Sequence, residues 1–310
     1  MAGYEAVRNG GVGLIDLSAR GRISVSGSEA VTFLNGLITN DMKTLAENES
    51  MPAAFANVQG RLLASVRVTR RAHDFLLDTE AVTREKVIKL IERFTLAGDF
   101  KVADLTTDSA LISIQGRGAS ALLEQITLPD DTMVIPATHT GEDGFDLIIS
   151  AAEKDRLWQM LVAAGATPVS AEVEEILRIE AGIARYGVDM DETNVVTETN
   201  LDDAVSYTKG CYLGQEIIVR IKHRGHVAKK LTGLRFETDQ TIEAGAVITS
   251  SDDKAIGRVT SATFSPQLQT TIALGYVRHE QLTPNTPIIV DGIAGAVQNL
   301  PLVRGSWHET

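Results

Sequence analysis

The stretch Arg22-Ile23-Ser24-Val25-Ser26-Gly27-Ser28 leads directly into an apolar helical stripe, and it says more about the fold than any other segment. Its alternation predicts a strand, Gly27 ends that strand, and Ser28 is a residue type that caps helices. A second block repeats this order, with a strand at Leu111–Ile114, then Gly116, then another helical stripe. Because Gly27 aligns with Gly116, the sequence favours a duplicated α+β unit, although any strand–glycine–helix unit gives the same pattern. Neither copy precedes a glycine-rich phosphate loop, so no nucleotide site is inferred.

The remaining patterning changes once along the chain. Before residue 230, strand-like runs are mixed with helical stripes, one extending from Thr83 to Phe94 and one from Ser170 to about Tyr186. The strand-like runs are Ala53–Val58, Leu62–Val68, Asp74–Thr79 and Phe145–Ile149. From Lys230 onward, short β-like runs alternate with Gly, Pro, Asn and Asp, and no helical stripe occurs. We therefore predict a two-subdomain α+β region over residues 1–228 and a small β-barrel domain over residues 229–310.

Composition limits the class of protein. The 310 residues are 44% hydrophobic and 23% charged, with a net charge of −12, which is typical of a globular chain of two or more units. A single cysteine excludes an internal disulfide framework and suits a reducing compartment, so we expect a cytoplasmic protein. We find no signal-peptide pattern and no apolar run of about 18 residues, so no membrane association is expected. We also expect a monomer.

The lone cysteine lies in a basic island. Between Lys209 and Lys230 there are six lysines and arginines against one acid, Glu216, so this segment carries +5 and the remainder of the chain −17. Gly210 and Gly214 bracket Cys211, and Gln215-Glu216 resembles a helix start, which favours an anion. The commonest role of a lone intracellular cysteine is that of a small buried hydrophobe. The surroundings here instead predict a reactive, accessible thiol, with Cys211 and Lys209 as catalytic residues.

A metal site in this island is not expected. His223 and His226 are the only local partners for Cys211, and the four-ligand set of a structural zinc site is not evident. An RNA-binding role for the patch at Lys222–Lys230 is weakly supported, because its flanks offer few aromatic side chains for base stacking.

The segment Lys209-Gly210-Cys211-Tyr212-Leu213-Gly214-Gln215-Glu216, followed by Arg220 and Arg224-Gly225, resembles the signature of the YgfZ family. These are folate-binding proteins implicated in iron–sulfur cluster assembly or repair, and they are related to the glycine cleavage T-protein, a tetrahydrofolate-dependent aminomethyltransferase. Other segments are similar to that superfamily and follow its order along the chain. They are Leu14–Ser18, Phe33–Asp41, Thr140–Phe145, Leu177–Gly182, Tyr186–Asp189 and Asn200–Asp202.

The resemblance implies a fold, a cofactor and partners. The fold would be T-protein-like, with duplicated ferredoxin-like α+β units and a C-terminal barrel; the cofactor would be tetrahydrofolate, and the partners iron–sulfur client or assembly proteins. A carboxylate can bind the amide-and-amine edge of a pterin, and arginine can bind the carboxylates of the folate tail. On this basis Glu142 and Glu180 are predicted pterin contacts and Arg178 a tail contact. Further cofactor-binding residues implied are Tyr186, Asp189, Gln215, Glu216 and Arg220.

One departure separates the two relatives. T-proteins carry paired aspartates after an Asn-x-x-Gly turn, and the matching run Asn57–Ser65 has Ala64 and Ser65 in those positions. Without a carboxylate there, the proton transfer of an aminomethyltransferase has no obvious carrier. The sequence therefore favours a folate-binding iron–sulfur assembly or repair factor. A tetrahydrofolate-dependent aminomethyl or one-carbon transferase and a tRNA-modification accessory protein are the alternatives.

Overall fold

The computed structural model describes residues 1–93 and 98–309. Phe94, which was expected to extend the helix after Thr83, lies outside the described residues. The α-helices are α1 (Ala2–Arg8), α2 (Ala30–Leu37), α3 (Arg84–Glu92), α4 (Ala119–Glu124), α5 (Lys154–Ala163), α6 (Ala171–Glu180) and α7 (Gln215–Arg224). The first ten strands are β1 (Gly13–Asp16), β2 (Gly21–Ser26), β3 (Ser50–Ala56), β4 (Leu62–Arg70), β5 (Asp74–Thr79), β6 (Lys101–Asp104), β7 (Ser109–Gln115), β8 (Met133–Pro136), β9 (Gly144–Ser150) and β10 (Thr167–Pro168).

The first sheet is antiparallel throughout, in the order β3-β4-β5-β2-β6. Helices α2 and α3 cover one face, and Leu34 and Ile91 are fully buried against strand residues such as Val25. Helix α2 begins later than expected. Glu29 occupies its N-cap, whereas the Ser28 hydroxyl donates to Asp99 at 2.7 Å.

The second sheet has the order β10-β1-β7-β9-β8, and only the short β1–β10 pair is parallel among these described strands. Helices α4 and α5 pack on it around Ile112, Leu147 and Leu157. Strand β1 precedes the whole first sheet in sequence but pairs with β7. The chain therefore crosses from one unit to the other at its start, which the linear pattern did not indicate.

The two strand–glycine–helix blocks occupy equivalent places in the two sheets. Gly27 has φ +120° and Gly116 has φ +129°, values that side chains rarely tolerate. A Cβ on Gly27 would lie 2.2 Å from the Asp99 carbonyl oxygen, and one on Gly116 would lie 2.4 Å from that of Gly11. Both turns thus require glycine for the same two reasons, and the α+β architecture of repeated units is confirmed.

Helix α6 packs against α1 on one side and against β13 and β14 of the C-terminal region on the other, and it is shorter than expected. The Ser170 hydroxyl caps its start by accepting from the Val173 amide. The expected end near Tyr186 is wrong, because the helix stops at Glu180 and Gly182 turns the chain with φ +70°. The following residues form a loop that is held by Arg178, which donates to the carbonyl oxygen of Ile183 at 2.8 Å.

The C-terminal strands close into a barrel, as expected. They are β11 (Lys229–Phe236), β12 (Val247–Thr249), β13 (Ala255–Ser265), β14 (Thr270–Arg278), β15 (Pro287–Val290) and β16 (Ile293–Gln298), paired in the order β11-β14-β13-β12-β15-β16. Strand β16 has an Ala-Gly-Ala centre and no apolar run, so the sequence pattern does not indicate it. After β16 the chain returns to the α+β region, where the Val303 amide donates to the Glu180 carbonyl oxygen at 2.8 Å. None of the described helices has the length and apolar character needed to cross a membrane.

Candidate functional site

A central cleft of about 480 Å³ lies where the two sheets, helix α6 and the loop after it meet. The first sheet contributes Ser65, Arg67 and Asp78, and the second unit contributes His139. Helix α6 and its loop add Glu174, Arg178 and Arg185. Three separate parts of the chain thus supply charged side chains to one space, which is the usual form of a small-molecule site.

The second unit places a buried carboxylate behind the wall of this cleft. Asp146 on β9 is 1% exposed and accepts from Arg67 Nη1 at 2.6 Å and from His139 Nε2 at 3.0 Å. Burial alone would raise the pKa of the Asp146 carboxyl, but the charges of His139 and Arg67 hold that pKa well below its usual range. The carboxylate therefore stays ionised and orients two cleft-lining side chains. Because His139 uses Nε2 on Asp146, Nδ1 is the ring nitrogen left for a molecule in the cleft.

Arg67 has side-chain hydrogen-bond donors that the described part of the chain does not use. Its Nη1 bonds Asp146, whereas within the described part of the chain Nε and Nη2 have no hydrogen-bond partner. It lies directly opposite Asp78 in the β4–β5 register, but Asp78 is bound by Arg20, with Nε and Nη2 each at 2.9 Å. An arginine with two unused donors facing a cleft is suited to bind a carboxylate or phosphate.

The two residues at the positions of the T-protein aspartates lie on opposite faces of strand β4. Ala64 is fully buried in the core of the first sheet, and Ser65 lines the cleft. Of the two positions, only the second therefore faces the cleft. Carboxylates do reach the cleft from elsewhere, as Asp78 on β5 does.

Arg178 lines the cleft, but its hydrogen bonds are already made. Nε donates to Glu175 at 2.9 Å, Nη1 to Asp189 at 2.6 Å, and Nη2 to Ser261 at 2.9 Å. With further bonds to the Ile183 carbonyl oxygen and to the second oxygen of Glu175, every guanidinium N–H has a partner. Asp189 is likewise fixed by the hydroxyls of Thr260 and Ser261. This geometry favours a structural role for both residues, and their role as cofactor contacts stays a prediction.

Glu142 and Glu180 meet at a buried arginine outside the cleft. Arg8 on α1 donates to Glu142 Oε1 and to Glu180 Oε2, each at 2.8 Å. The other oxygen of Glu142 accepts from the Ser306 amide and hydroxyl, and that of Glu180 from the hydroxyls of Tyr4 and Ser265. Neither carboxylate lines the cleft. The geometry favours a structural role for both glutamates, and their role as pterin contacts remains a prediction.

The other predicted cofactor residues lie in two separate regions, the loop after α6 and helix α7. The Tyr186 hydroxyl accepts from Lys86 Nζ at 3.2 Å while its ring is buried, and burial raises the pKa of this phenol. Glu216 and Arg220 are exposed on α7, and Gln215 is half-buried at the start of that helix. The structure brings none of these last three into the cleft.

The cysteine loop lies against the Asn57–Gly60 turn. Cys211 is exposed, as the sequence predicted. Gly214 starts α7 with φ +85° and packs against the Asn57 carbonyl oxygen, which a Cβ would approach to 2.5 Å. Lys209 differs from the expected catalytic cation beside the thiol. Its Nζ is buried and donates to the carbonyl oxygens of Ile38 at 2.9 Å and Asn40 at 2.6 Å.

The environment of Lys209 is unusual for an ammonium group. Burial lowers the pKa of Lys209 to about 8, with Asp41 partly offsetting that effect. Its position connects the loop after α2 with the cysteine loop. Among the described residues, no group of three or more His, Cys, Asp and Glu side chains is arranged to hold a metal ion.

The sequence analysis missed three polar residues in and behind the cleft wall, Arg67, His139 and Asp146. Arg67 lies two residues after Ser65 on the same face of β4, and His139 and Asp146 flank the Thr140–Phe145 motif. The only sequence signal was this closeness to recognised motifs. Their convergence depends on the contact between two sheets, which no local pattern contains.

Comparisons with known proteins follow the same division of the chain. Residues 2–134 and 129–209 match the GCVT N-terminal domain, and residues 229–301 match the glycine cleavage T-protein C-terminal barrel domain. The chain is 33% identical to the aminomethyltransferase of Rubrobacter xylanophilus, over 90% of this chain and 79% of that protein. It is 28% identical to the aminomethyltransferase of Thermotoga maritima, over 95% and 87%. The crystal structure of glycine cleavage system aminomethyltransferase T from Bartonella henselae superposes with a TM-score of 0.91 at 26% identity, covering 98% of this chain and 90% of that one.

Proposed function

This chain belongs to the glycine cleavage T-protein family, and on that premise we propose that it binds a tetrahydrofolate derivative in the central cleft and acts as a folate-dependent one-carbon transferase. The relatives described above carry the name aminomethyltransferase, which supports this alternative better than the iron–sulfur role favoured by the sequence. The observation that carries the proposal is the cleft, with Arg67 presenting two unused donors beside His139.

The cleft has the size and chemistry for a reduced folate. Its volume of about 480 Å³ lies within the range of small-molecule sites. Arg67 would bind a carboxylate of the folate tail through Nε and Nη2. Asp78 has acceptor capacity beyond its bonds to Arg20, because a carboxylate offers about four lone-pair sites, and it would accept from the amide N–H that lies beside the tail carboxylate bound by Arg67. Bound tetrahydrofolate supplies nitrogen atoms that carry a one-carbon unit.

The protein's contribution to the chemistry would come from His139. Ser65 lacks the carboxylate that T-proteins place in the cleft, so a different group has to hold or move the proton at the reacting nitrogen. His139 Nδ1 is suited to this task, since Asp146 orients the ring through Nε2. Ser65 would leave space beside the reacting atoms and offer one hydroxyl.

The binding part of the proposal is tested by calorimetric titration with tetrahydrofolate. We expect saturable binding, weakened about tenfold by Arg67→Gln, because a charge-assisted hydrogen bond is lost. Arg156→Gln, which changes an exposed arginine on α5, serves as the matched control and should bind normally. Arg67→Lys keeps a positive charge beside Asp146 and should therefore fold normally. Weaker folate binding by this variant then reflects the lost guanidinium donors and not misfolding. Absence of saturable binding, or equal binding by Arg67→Gln, contradicts the proposal.

The reaction part is tested with one-carbon-loaded tetrahydrofolate and the other components of glycine cleavage. We expect His139→Gln to reduce transfer by about 100-fold with little change in folate affinity, because general acid–base groups contribute on that scale. We also expect Ser65→Asp to increase aminomethyl transfer, since it restores a carboxylate in the cleft. Folate binding without any detectable transfer, in the chain and in Ser65→Asp alike, contradicts the transferase assignment while leaving the folate site intact.

One observation favours a second function, the assembly or repair of iron–sulfur enzymes. Cys211 is exposed on a loop whose neighbours Glu216 and Arg220 on α7 are also exposed, so the motif is accessible to another protein. We propose that this loop is the contact with an iron–sulfur client. The test uses cells that lack their own iron–sulfur assembly or repair factor. The unaltered chain should restore iron–sulfur enzyme activity in these cells, and Cys211→Ser should not. Full restoration by Cys211→Ser contradicts it.

A further inference from the structure

A second cavity, of about 490 Å³, lies on the outer wall of the barrel beneath residues 187–194. Its walls come from that loop, from the turn at Gly245 and from strands β11, β13 and β14. Met190 lines both this cavity and the central cleft and so stands between them. The proposed transferase activity makes no use of this space.

Three cations converge on the barrel side of the cavity. Lys229 and Arg278 are direct cross-strand partners of β11 and β14, and Arg258 on β13 is the partner of Tyr276. Tyr276 and Arg278 are two residues apart on one strand, so all three cations share the outer face. Like charges placed directly opposite in a sheet are destabilising. Such a cluster is therefore costly unless a negative group compensates it.

The protein itself compensates only part of this positive charge. Within the described residues, Lys229, Arg258 and Arg278 make no side-chain hydrogen bond or ion pair, although Lys229 Nζ lies 4.9 Å from the Tyr276 ring centroid. Two carboxylates belong to the cavity wall. Asp189 is already bound by Arg178 at 2.6 Å, so its charge is matched within the protein. Asp191 accepts from the Thr193 amide and hydroxyl through Oδ1, and the charges of Lys229 and Arg258 help to lower the pKa of this carboxyl, so it offsets part of the positive charge. Three cationic groups consequently remain with unused donors.

The walls hold these groups in place. The Arg258 guanidinium lies over Gly245, where a Cβ would be 3.6 Å from Nη2 and 3.9 Å from Nε. Gly245 has φ +94°, so it is a residue that the turn requires in any case. Ile256 is buried and Val188 is half exposed, and both give the cavity an apolar side next to its charged one.

We propose that this cavity is a second binding site, for a small oxyanion that carries two or more negative charges as phosphate or carboxylate groups. Lys229, Arg258 and Arg278 would bind the anionic groups, with Tyr276 forming the floor. Arginine suits either group because its planar fork matches both. The inference extends beyond the proposed function, since it concerns a different cavity and does not require folate to bind.

Inorganic pyrophosphate and citrate are suitable probes, used in calorimetric titrations of the full chain at low ionic strength. We expect saturable binding of at least one probe, and affinity that falls with added salt. Preferential binding of pyrophosphate assigns a phosphate-bearing ligand, and preferential binding of citrate assigns a carboxylate-bearing one. Absence of saturable binding by both probes overturns the proposal.

Three variants locate the site. Arg258→Gln and Lys229→Gln should each weaken the bound probe about tenfold, whereas Lys254→Gln should not, since Lys254 is exposed on the same barrel and paired with Asp252. All three positions are at least partly exposed, so folding should persist, and circular dichroism checks it. Unchanged affinity in both cavity variants, or equal weakening by Lys254→Gln, overturns the proposal. Weakening of the bound probe by Arg67→Gln to the same extent as by Arg258→Gln also overturns it, because that result places the anion in the central cleft.

Discussion

At the scale of single residues, Cys211 and Lys209 are neighbours in sequence with opposite surroundings. The thiol is exposed and the ammonium group is buried. The same short motif thus holds one side chain that is accessible to other molecules and one that fastens the loop to the carbonyl oxygens of Ile38 and Asn40.

Exposure of Cys211 predicts its behaviour under alkylation. We expect the thiol to react with iodoacetamide in the folded protein, and Cys211→Ser to change the free energy of unfolding by less than about 0.5 kcal/mol, the usual range for surface substitutions. Mass spectrometry and urea unfolding measure the two quantities. A thiol that reacts only in urea would place Cys211 in the core.

Burial of Lys209 predicts a pH dependence of stability. The folded pKa of about 8 lies below the ordinary 10.5, so between these values the unfolded state binds more protons. Stability contributed by this group should therefore rise as the pH increases from about 8 toward 10. We expect the difference in unfolding free energy between the unaltered chain and Lys209→Met to increase over this interval, as measured by urea unfolding at each pH. Lys254→Met is the exposed control, and parallel profiles for the chain and Lys209→Met would contradict the assignment.

At the scale of elements, helices α1 and α6, the second unit and the returning C-terminal segment meet at Arg8. Its partners Glu142 and Glu180 come from separate elements, and Ser306 and Ser265 complete their hydrogen bonds. A buried cluster of this kind is strongly coupled, because removing one charge leaves the others without compensation.

We expect Arg8→Met to lower the free energy of unfolding by about 3–5 kcal/mol, since two buried carboxylates lose their cation. Arg156→Met, at an exposed ion pair on α5, should cost less than about 1 kcal/mol. Urea unfolding compares the two variants. Near-normal stability of Arg8→Met would contradict a structural role for this cluster. If the same variant also lost tetrahydrofolate binding, the result would support Glu142 and Glu180 as ligand contacts.

At the scale of the whole molecule, the Arg67–Asp146 pair spans the two sheets beside the central cleft. Arg67 belongs to β4 and Asp146 to β9. The ion pair therefore contributes to the relative placement of the two units and to the shape of the cleft.

The Arg67–Asp146 ion pair predicts that the free energy of unfolding depends on pH in the acidic range. Because the pKa of Asp146 is held below its ordinary value of 3.8, its contribution is present above that value and is lost as the pH falls below it. We expect Asp146→Asn to be about 3 kcal/mol less stable at pH 7. That deficit should shrink as the pH falls from about 5 toward 2. Urea unfolding across this range tests the prediction, and a deficit that is constant with pH would contradict it.

Local sequence patterns predicted most of the strands and helices and the T-protein superfamily, whereas the comparisons support that superfamily and not the YgfZ family in particular. Alternating strands, the glycines at 27 and 116, the Ser170 cap and the change to short β-like runs are local properties, because strand alternation, left-handed turns and helix caps depend on a few adjacent residues. The motif at Lys209–Glu216 likewise indicated an exposed cysteine and a helix start, both of which the structure contains.

Contacts between distant parts of the chain decided which polar side chains are available in the cleft and which are committed to hydrogen bonds within the protein. Arg178 and Glu180 lie in one motif two residues apart, yet Arg178 lines the cleft with its donors used and Glu180 is buried on Arg8. Arg67, His139 and Asp146 come together although 72 residues separate the first two. The reason is physical: whether a charge is available depends on the distance to partners and on exposure to water, and both are set by contacts between sheets and helices that are distant in sequence.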